Sequence, residues 1–420
     1  MQAYDLIVIG AGASGMAAAI AAASRGASVL ILEKNKQVGR KIRMTGNGRC
    51  NFSNLRQGRF AYRGADPDFA VRAMEKFGLK ETLDFFFDLG ILPYEREGCL
   101  YPSTQEAASV QKALLCRLLK LGVSIRTGES CRGFAAVRQK DFRYRVTSVD
   151  LKSQSKGDYL CRSLLLASGG KAAPASGSTG DGYYWAEKLG HRIIPPAPAL
   201  VSLKSDWPLL EDLAGLRLQA GIQLLIDGRE AAYDQGEIQC NRDGISGIPV
   251  LQVSRDASYA LNDGSLVSAR LLILPWLAME QRKEKLSEIL FGMQKESLES
   301  CLQGILPGRL LGLLKEWTGY SLDRRVGGLD AREREDLLSR LLSLEIPIVG
   351  TGGYQQAQTT AGGLATDQFS SDSMESLLSP GFYAAGEVLD IDGICGGYNL
   401  QWAWTSGCLA GADIAGERHL

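Results

Sequence analysis

Histidine is nearly missing from this 420-residue chain, which has only His191 and His419. A histidine metal centre or a Ser-His-Asp triad needs more than that, so neither is expected, and no bound metal is. The nine cysteines are scattered singly, with no CxxC pair. An odd, unpatterned set argues against a disulfide or zinc framework and for a reducing, cytoplasmic setting. Net charge is absent too, with 47 basic and 47 acidic side chains, so no global field draws the chain to a polyanion or a membrane. One long uncharged run, "LIVIGAGASGMAAAIAAA" (6–23), has Asp5 at its edge and no basic residue before it. It lacks the anatomy of a signal peptide, and its glycines have a better use than crossing a bilayer, so no membrane partner is expected. No internal repeat and no low-complexity linker is evident.

What is present is glycine, 49 in all, grouped in short motifs. Such grouping brings backbone close to a large ligand. "YDLIVIG" reads as a buried parallel strand, and "GAGASG" follows at once. Residues 14–25 are alanine-rich and helical, and "ASVLILEK" is a second buried strand ending at Glu33. Gly10 permits the tight strand-to-helix turn. Gly12 lets a pyrophosphate approach N–H groups at the helix N-terminus, and Gly15 lets helix and strand pack closely. Glu33 can accept from ribose hydroxyls, which favours FAD or NAD over NADP. A lone G-x-G-x-x-G is a weak signal; strand, motif, helix, strand and acid in order make a dinucleotide-binding unit.

Residues 66–90 and 104–121 read as amphipathic helices, the second opened by a capping box from Ser103 to Glu106. "GVSIRTG", "FRYRVTSVD" and "SLLLASGG" read as strands. Residues 197–278 turn β-rich and barrel-like, and residues 279–345 become charged amphipathic helices. After 345 the glycine-rich α/β character returns. "FYAAGE" is a strand, Asp390 or Asp392 follows on a turn, and "GGYNLQWAWTSGCLAGADIA" opens a long helix. The dinucleotide domain is therefore expected to be split, 1–196 plus 346–420, around an insert at 197–278 and a helical subdomain at 279–345.

The segment "RMTGNGRCNFSN" (43–54) fits neither a helix nor a core strand. It lies in a stretch, 34–65, with nine basic residues and no acid: Lys34, Lys36, Arg40, Lys41, Arg43, Arg49, Arg56, Arg59 and Arg63. A dinucleotide pyrophosphate carries only about two charges. The surplus is left to solvent, an anionic substrate, a nicotinamide cofactor or RNA phosphates.

Six stretches together resemble one known family. They are "VIGAGASGMAAA", "GRKIRMTGNGRCNFSN", "ASGGKAAPASGSTGDGYYWAEKLGH", "DGISGIPVLQVSR", "TTAGGLA" and "AAGEVLDIDGICGGYNLQWAWTSG". They are similar, over essentially the whole chain, to the BaiN-like, aminoacetone-oxidase-type FAD-binding oxidoreductases, the second and last being the specific ones. The resemblance implies FAD and an α/β fold: a split Rossmann-like FAD-binding domain of the GR2 type, with an inserted β-barrel and a small helical subdomain. It implies a cofactor site that begins at Gly10, Gly12, Ala13, Ser14 and Gly15 and continues through Glu33, Lys34, Arg40 and Lys41. Thr45, Gly46 and Asn47 follow, then Cys131 and the return at Ala167, Ser168 and Gly169. The C-terminal block adds Gly386, Glu387, Asp392, Gly397, Tyr398, Asn399 and Leu400.

Flavin carries hydride, and the protein must supply a proton. With so little histidine, the candidate donors are Cys50, Cys395 and Tyr398. The expected reaction is reduction of a C=C bond conjugated to a carbonyl, on a steroid- or bile-acid-type small molecule. Dihydrouridine synthesis on ribosomal RNA, contacted through 34–63, and aminoacetone-type amine oxidation are the alternatives. No second G-x-G-x-x-G with an NAD-type acid is evident, so NADH or NADPH is expected as a transient donor.

Overall fold

Strand β1 (Gln2–Ile9) is buried continuously from Asp5 onward, as a leucine, isoleucine and valine run must be when both faces of a parallel sheet are covered. In the computed structural model, which describes residues 1–137, 139 and 141–416, β1 pairs in parallel with β2 (Val29–Glu33) and with strand Lys156–Leu166. Helix α1 (Ala13–Ala23) joins β1 to β2. Outward of β2 lies Ser124–Thr127, again parallel. Beyond Lys156–Leu166 the sheet divides. The end of that strand takes parallel Phe382–Ala384, and its first half takes antiparallel Tyr144–Asp150, which pairs with Glu129–Ala136. A strand from far along the sequence thus completes the parallel core.

The chain divides into two compact units, Met1–Ala197 with Gln358–Leu420, and Pro198–Ala357. In the first, the C-terminal helix Tyr398–Gly416 lies against α1 with the two backbones in close approach. A Cβ on Gly407 would stand 2.3 Å from the Ser14 carbonyl oxygen, and one on Gly411 2.2 Å from that of Ala18. Four-residue spacing puts both glycines on one helix face. The same helix is tied to the 43–54 segment. The Trp404 indole donates to the Phe52 carbonyl at 3.0 Å. The fully buried Gln401 accepts from Ser53 Oγ at 2.6 Å and donates to Thr82 Oγ1 at 2.7 Å.

The second unit has its own leucine-rich core. Its seven strands run in the order Leu344–Ile348, Val267–Leu272, Arg217–Ile226, Arg229–Asn241, Gly244–Ser246, Leu203–Lys204 and Gly350–Thr351. Only Val349 separates the first strand from the last, so the ladder returns to the segment where it began. Helices Met279–Gly292 and Ala331–Leu342, with three short ones between, bury their leucines in that same core.

Three local readings change. Residues 66–90 form two helices, Pro67–Lys76 and Leu79–Asp88. Gly78 interrupts them, and its N–H bonds the Glu81 carboxylate at 2.9 Å to start the second. The next helix is Ala107–Lys120, because the Ser103 N–H pairs with the Leu92 carbonyl at 2.8 Å and Ser103 does not cap. Inside the β-rich region lies helix Ile248–Asn262, with Pro249 in its first turn. Its buried Val250, Val253, Ala257 and Ala260 follow a helical period.

Among the described residues, no helix is long and apolar enough to cross a membrane. None holds a metal-competent group of three or more His, Cys, Asp or Glu. His419 lies outside the described residues.

Candidate cofactor and active site

The sheet's parallel strands end on one cleft, the usual ligand position in such sheets. Gly10 sits at φ +104°, and a Cβ there would come 2.4 Å from the Ala167 carbonyl oxygen. Gly15 is equally constrained, since its Cβ would fall 2.0 Å from the Gly10 carbonyl oxygen. Gly12 differs: a Cβ there meets nothing within 4 Å, so the glycine leaves backbone bare toward the cleft. It is also the N-cap of α1 and has no side-chain cap. The first N–H groups of α1 are therefore free for an anion, where the helix dipole favours negative charge.

Glu33 ends β2 at the cleft wall. One carboxylate oxygen accepts from the Ala11 N–H at 2.9 Å, and the other from the Asn35 N–H and amide, both at 2.7 Å. The carboxylate is aimed by its surroundings, with lone pairs left over for hydroxyl groups. The opposite wall is Ala167, Ser168 and Gly169 after strand Lys156–Leu166, with Ser176 to Thr179 beyond. Lys34 spans to that wall, donating to Thr179 Oγ1 at 2.6 Å and Asp181 at 2.7 Å. Cys131 lines the same end, and burial pushes its thiol up to about 12. Trp185, Leu32 and Ile9 give this end an apolar surface.

At the other end the cleft is walled by Lys41, Glu387, Asn399 and Leu400. Lys41 is ion-paired to Glu387. The Asn399 amide brackets Gly393, accepting from its N–H and donating to its carbonyl, each at 2.8 Å. This fixes the start of helix Tyr398–Gly416 against the cleft. The cleft contains about 1240 Å³ of empty space, part of it open to solvent. A bare helix N-terminus, a carboxylate with spare acceptor capacity and an apolar end, followed by a charged pair and a second helix N-terminus, fit FAD from adenosine to flavin.

Residues 4–413 match the HI0933-like protein Rossmann domain. The chain belongs to this family. A 3-dehydro-bile acid delta(4,6)-reductase of Clostridium scindens is 38% identical, over 97% of this chain and 98% of that protein. A ribosomal RNA dihydrouridine synthase of Escherichia coli is 33% identical, over 99% of this chain and 98% of that protein. A structure of 3-ketosteroid-delta4-(5alpha)-dehydrogenase from Rhodococcus jostii has a TM-score of 0.52 at 17% identity, covering 99% of this chain and 97% of that one. It shares the fold. This HI0933-like protein is an FAD-dependent oxidoreductase.

Within this HI0933-like chain the expected residues fall into two groups. Gly10, Gly12, Ala13, Ser14, Glu33, Lys34, Arg40, Lys41, Thr45 and Cys131 line the cleft, as do Ala167, Ser168, Gly169, Glu387, Asn399 and Leu400. Gly15, Gly46, Asn47, Gly386, Asp392, Gly397 and Tyr398 are outside its wall. Gly386 donates its N–H to Ser406 Oγ at 2.9 Å behind the cleft. Asp392 lies in a two-residue strand paired with Tyr62–Arg63, and the fully buried Asp390 accepts from the Ala65 N–H at 2.8 Å. The Asp390 carboxylate thus holds the turn at 63–65, the Asp392 backbone pairs beside it, and of these three acids Glu387 is the one that lines the cleft.

The 43–54 segment is a chain of left-handed turns. Gly46, Asn47, Gly48 and Cys50 all have positive φ, between 53° and 82°. Gly46 and Asn47 are exposed. With its amide oriented to donate to the Ser53 and Leu100 carbonyls, Asn51 accepts from the Gly397 N–H at 3.3 Å, tying the segment to the C-terminal helix. Cys50 is fully buried, and burial pushes its thiol up to about 12 against an opposing hydrogen bond with Thr45. Tyr398 is also buried, with its ring edge-on to Phe60 and Tyr62 at 6.1 and 6.0 Å. Burial raises its hydroxyl pKa, with the nearby Cys99 adding and Arg56 opposing. Cys395 is half-buried.

The basic stretch divides as well. Lys34, Lys41 and Arg59 pair with Asp181, Glu387 and Asp68, acids outside the stretch. Arg43, Arg49 and Arg56 are exposed. Sequence reasoning passed over Asn35 and Thr360, which aim Glu33 and Glu387. Asn35 stands two residues after Glu33, a readable signal. Thr360 has none, because its partners are 27 residues away or more.

Proposed function

We propose that this protein reduces a C=C bond conjugated to a carbonyl, on a small molecule of the steroid or bile-acid type, with NADH or NADPH as electron donor. The observation that carries the reading is the end-to-end match, at 38% identity, to a protein named as a bile acid reductase. When bound, FAD supplies hydride chemistry at its N5. The uncapped start of α1 would hold the pyrophosphate, and Glu33 would hold the adenosine ribose. Lys41, Glu387 and the start of helix Tyr398–Gly416 would face the flavin end, where N–H dipoles would favour negative charge. Of the three candidate proton donors, Cys50 and Tyr398 are buried with raised pKa values. The half-buried Cys395 is the accessible one.

The test is an anaerobic assay of the flavin-loaded protein. Reduction by NADH or NADPH followed by reoxidation with a steroid enone supports the reading. No reoxidation by any enone, together with peroxide formed from an amine and O₂, contradicts it.

The exposed Arg43, Arg49 and Arg56 favour a second reading, in which the double bond is that of uracil in ribosomal RNA. The chemistry is shared and only the partner differs. It also draws on the 33% identical relative named as a ribosomal RNA dihydrouridine synthase. Unchanged ribosomal dihydrouridine in a deletion strain removes it.

A further inference from the structure

Thr360 is fully buried and does not line the cleft, yet it makes four hydrogen bonds to three polar groups from two other parts of the chain. Its hydroxyl accepts from the Lys171 and Ala172 N–H groups at 2.8 and 2.9 Å. The hydroxyl then donates to Glu387 Oε1 at 2.8 Å, and the Thr360 N–H reaches the same oxygen at 3.1 Å. The other oxygen of Glu387 carries Lys41. The site is built around this contact: a Cβ on Gly170 would stand 2.4 Å from Thr360 Oγ1 and 2.9 Å from Glu387 Oε1.

We propose that Thr360 is a positioning residue for the flavin end of the cleft. It orients the Glu387 carboxylate, which in turn holds the Lys41 ammonium at the cleft wall. With two backbone N–H groups as donors, the hydroxyl proton has one remaining use, the carboxylate. A serine keeps that arrangement, whereas a valine of the same shape removes both the acceptor of the Lys171 and Ala172 N–H groups and the donor to Glu387. The inference rests on the FAD reading of the cleft and not on the identity of the substrate.

The test is a double-mutant cycle in FAD affinity, read by flavin fluorescence on apoprotein. Thr360→Val is expected to weaken FAD about tenfold, the scale of one charge-assisted hydrogen bond. Thr360→Ser should stay within twofold of wild type. In a Glu387→Leu background the Thr360→Val penalty should fall below twofold, because the group it acts through is gone. The flavin midpoint potential of Thr360→Val should move negative, since an unanchored ammonium stabilises reduced flavin less. Equal penalties in both backgrounds, or an unchanged potential, would overturn the proposal and leave Thr360 as a loop fastener. Thr360→Ala carries the same cycle where valine disturbs folding, which far-UV circular dichroism of each apoprotein reports. If the wild type bound no FAD, the flavin reading itself would fail, an outcome distinct from the cycle.

Discussion

Glu33 shows how far one side chain can be specified by its neighbours. Its carboxylate takes three N–H groups within 2.9 Å, so Glu33→Ala removes both the proposed ribose acceptor and the partner of the Ala11 amide. Losing a hydrogen bond to a charged group costs about 1.5–3 kcal/mol. FAD affinity should therefore fall by one to two orders of magnitude, measured by flavin fluorescence titration. The cysteines give a contrast. With its thiol pKa at about 12, Cys50 holds no thiolate at neutral pH, and native protein should resist iodoacetamide there while the exposed Cys116 reacts. Cys50→Ala should keep turnover within a few-fold and Cys395→Ala should lower it with FAD retained, measured as kcat beside flavin content. The place of Glu33 at a strand end on the cleft was legible because the strand follows a glycine motif. Burial was the ordinary expectation for Cys50 as a free cysteine, and the fold buries it fully.

At the scale of elements, the pairing of α1 with helix Tyr398–Gly416 carries the unit. Gly407 and Gly411 let the two backbones meet, and that contact joins the dinucleotide turn to the C-terminal wall of the cleft. Gly411→Ala places a methyl 2.2 Å from the Ala18 carbonyl oxygen. It should cost about 1–3 kcal/mol, as overpacking does, measured by urea denaturation. Gly416→Ala on the same helix is the control, since a Cβ there meets nothing within 4 Å. Elements with a strong period were readable: the two Rossmann strands, their helix and the long C-terminal helix. Two others were passed over although their signals are local: the break at Gly78, where the Glu81 carboxylate reaches back three residues, and helix Ile248–Asn262, whose helical period lies inside a β-rich stretch.

At the scale of the whole molecule, the parallel sheet is completed by Phe382–Ala384, and a buried histidine stands behind that strand. His191 stacks on Phe369 at 4.6 Å and meets Ser376 Oγ at 3.0 Å through Nε2. Burial lowers its pKa below 6.5, partly offset by Gln368. The folded state thus resists a proton that the unfolded state accepts, so stability is present above pH 6.5 and falls as pH drops below it. Denaturation midpoints measured from pH 7.5 to 5.0 should show this loss, and His191→Phe should flatten it. The return of glycine-rich α/β sequence after residue 345 is the signal behind the expected split, and the chain divides into Met1–Ala197 with Gln358–Leu420 and Pro198–Ala357. Which acid of "GEVLDID" reaches the cleft could not be read, because the Asp390 carboxylate is bonded to the 63–65 turn and the Asp392 backbone is paired there, contacts that only the folded chain supplies. The central claim is that this cleft holds FAD for hydride delivery to an activated double bond. It is tested most directly by titrating the purified flavoprotein with NADH and NADPH without oxygen, then adding a steroid enone and following absorbance near 450 nm. Bleaching by the nicotinamide and recovery on adding the enone is the predicted result. A protein that carries no flavin, or a reduced flavin that only O₂ reoxidises, would contradict it.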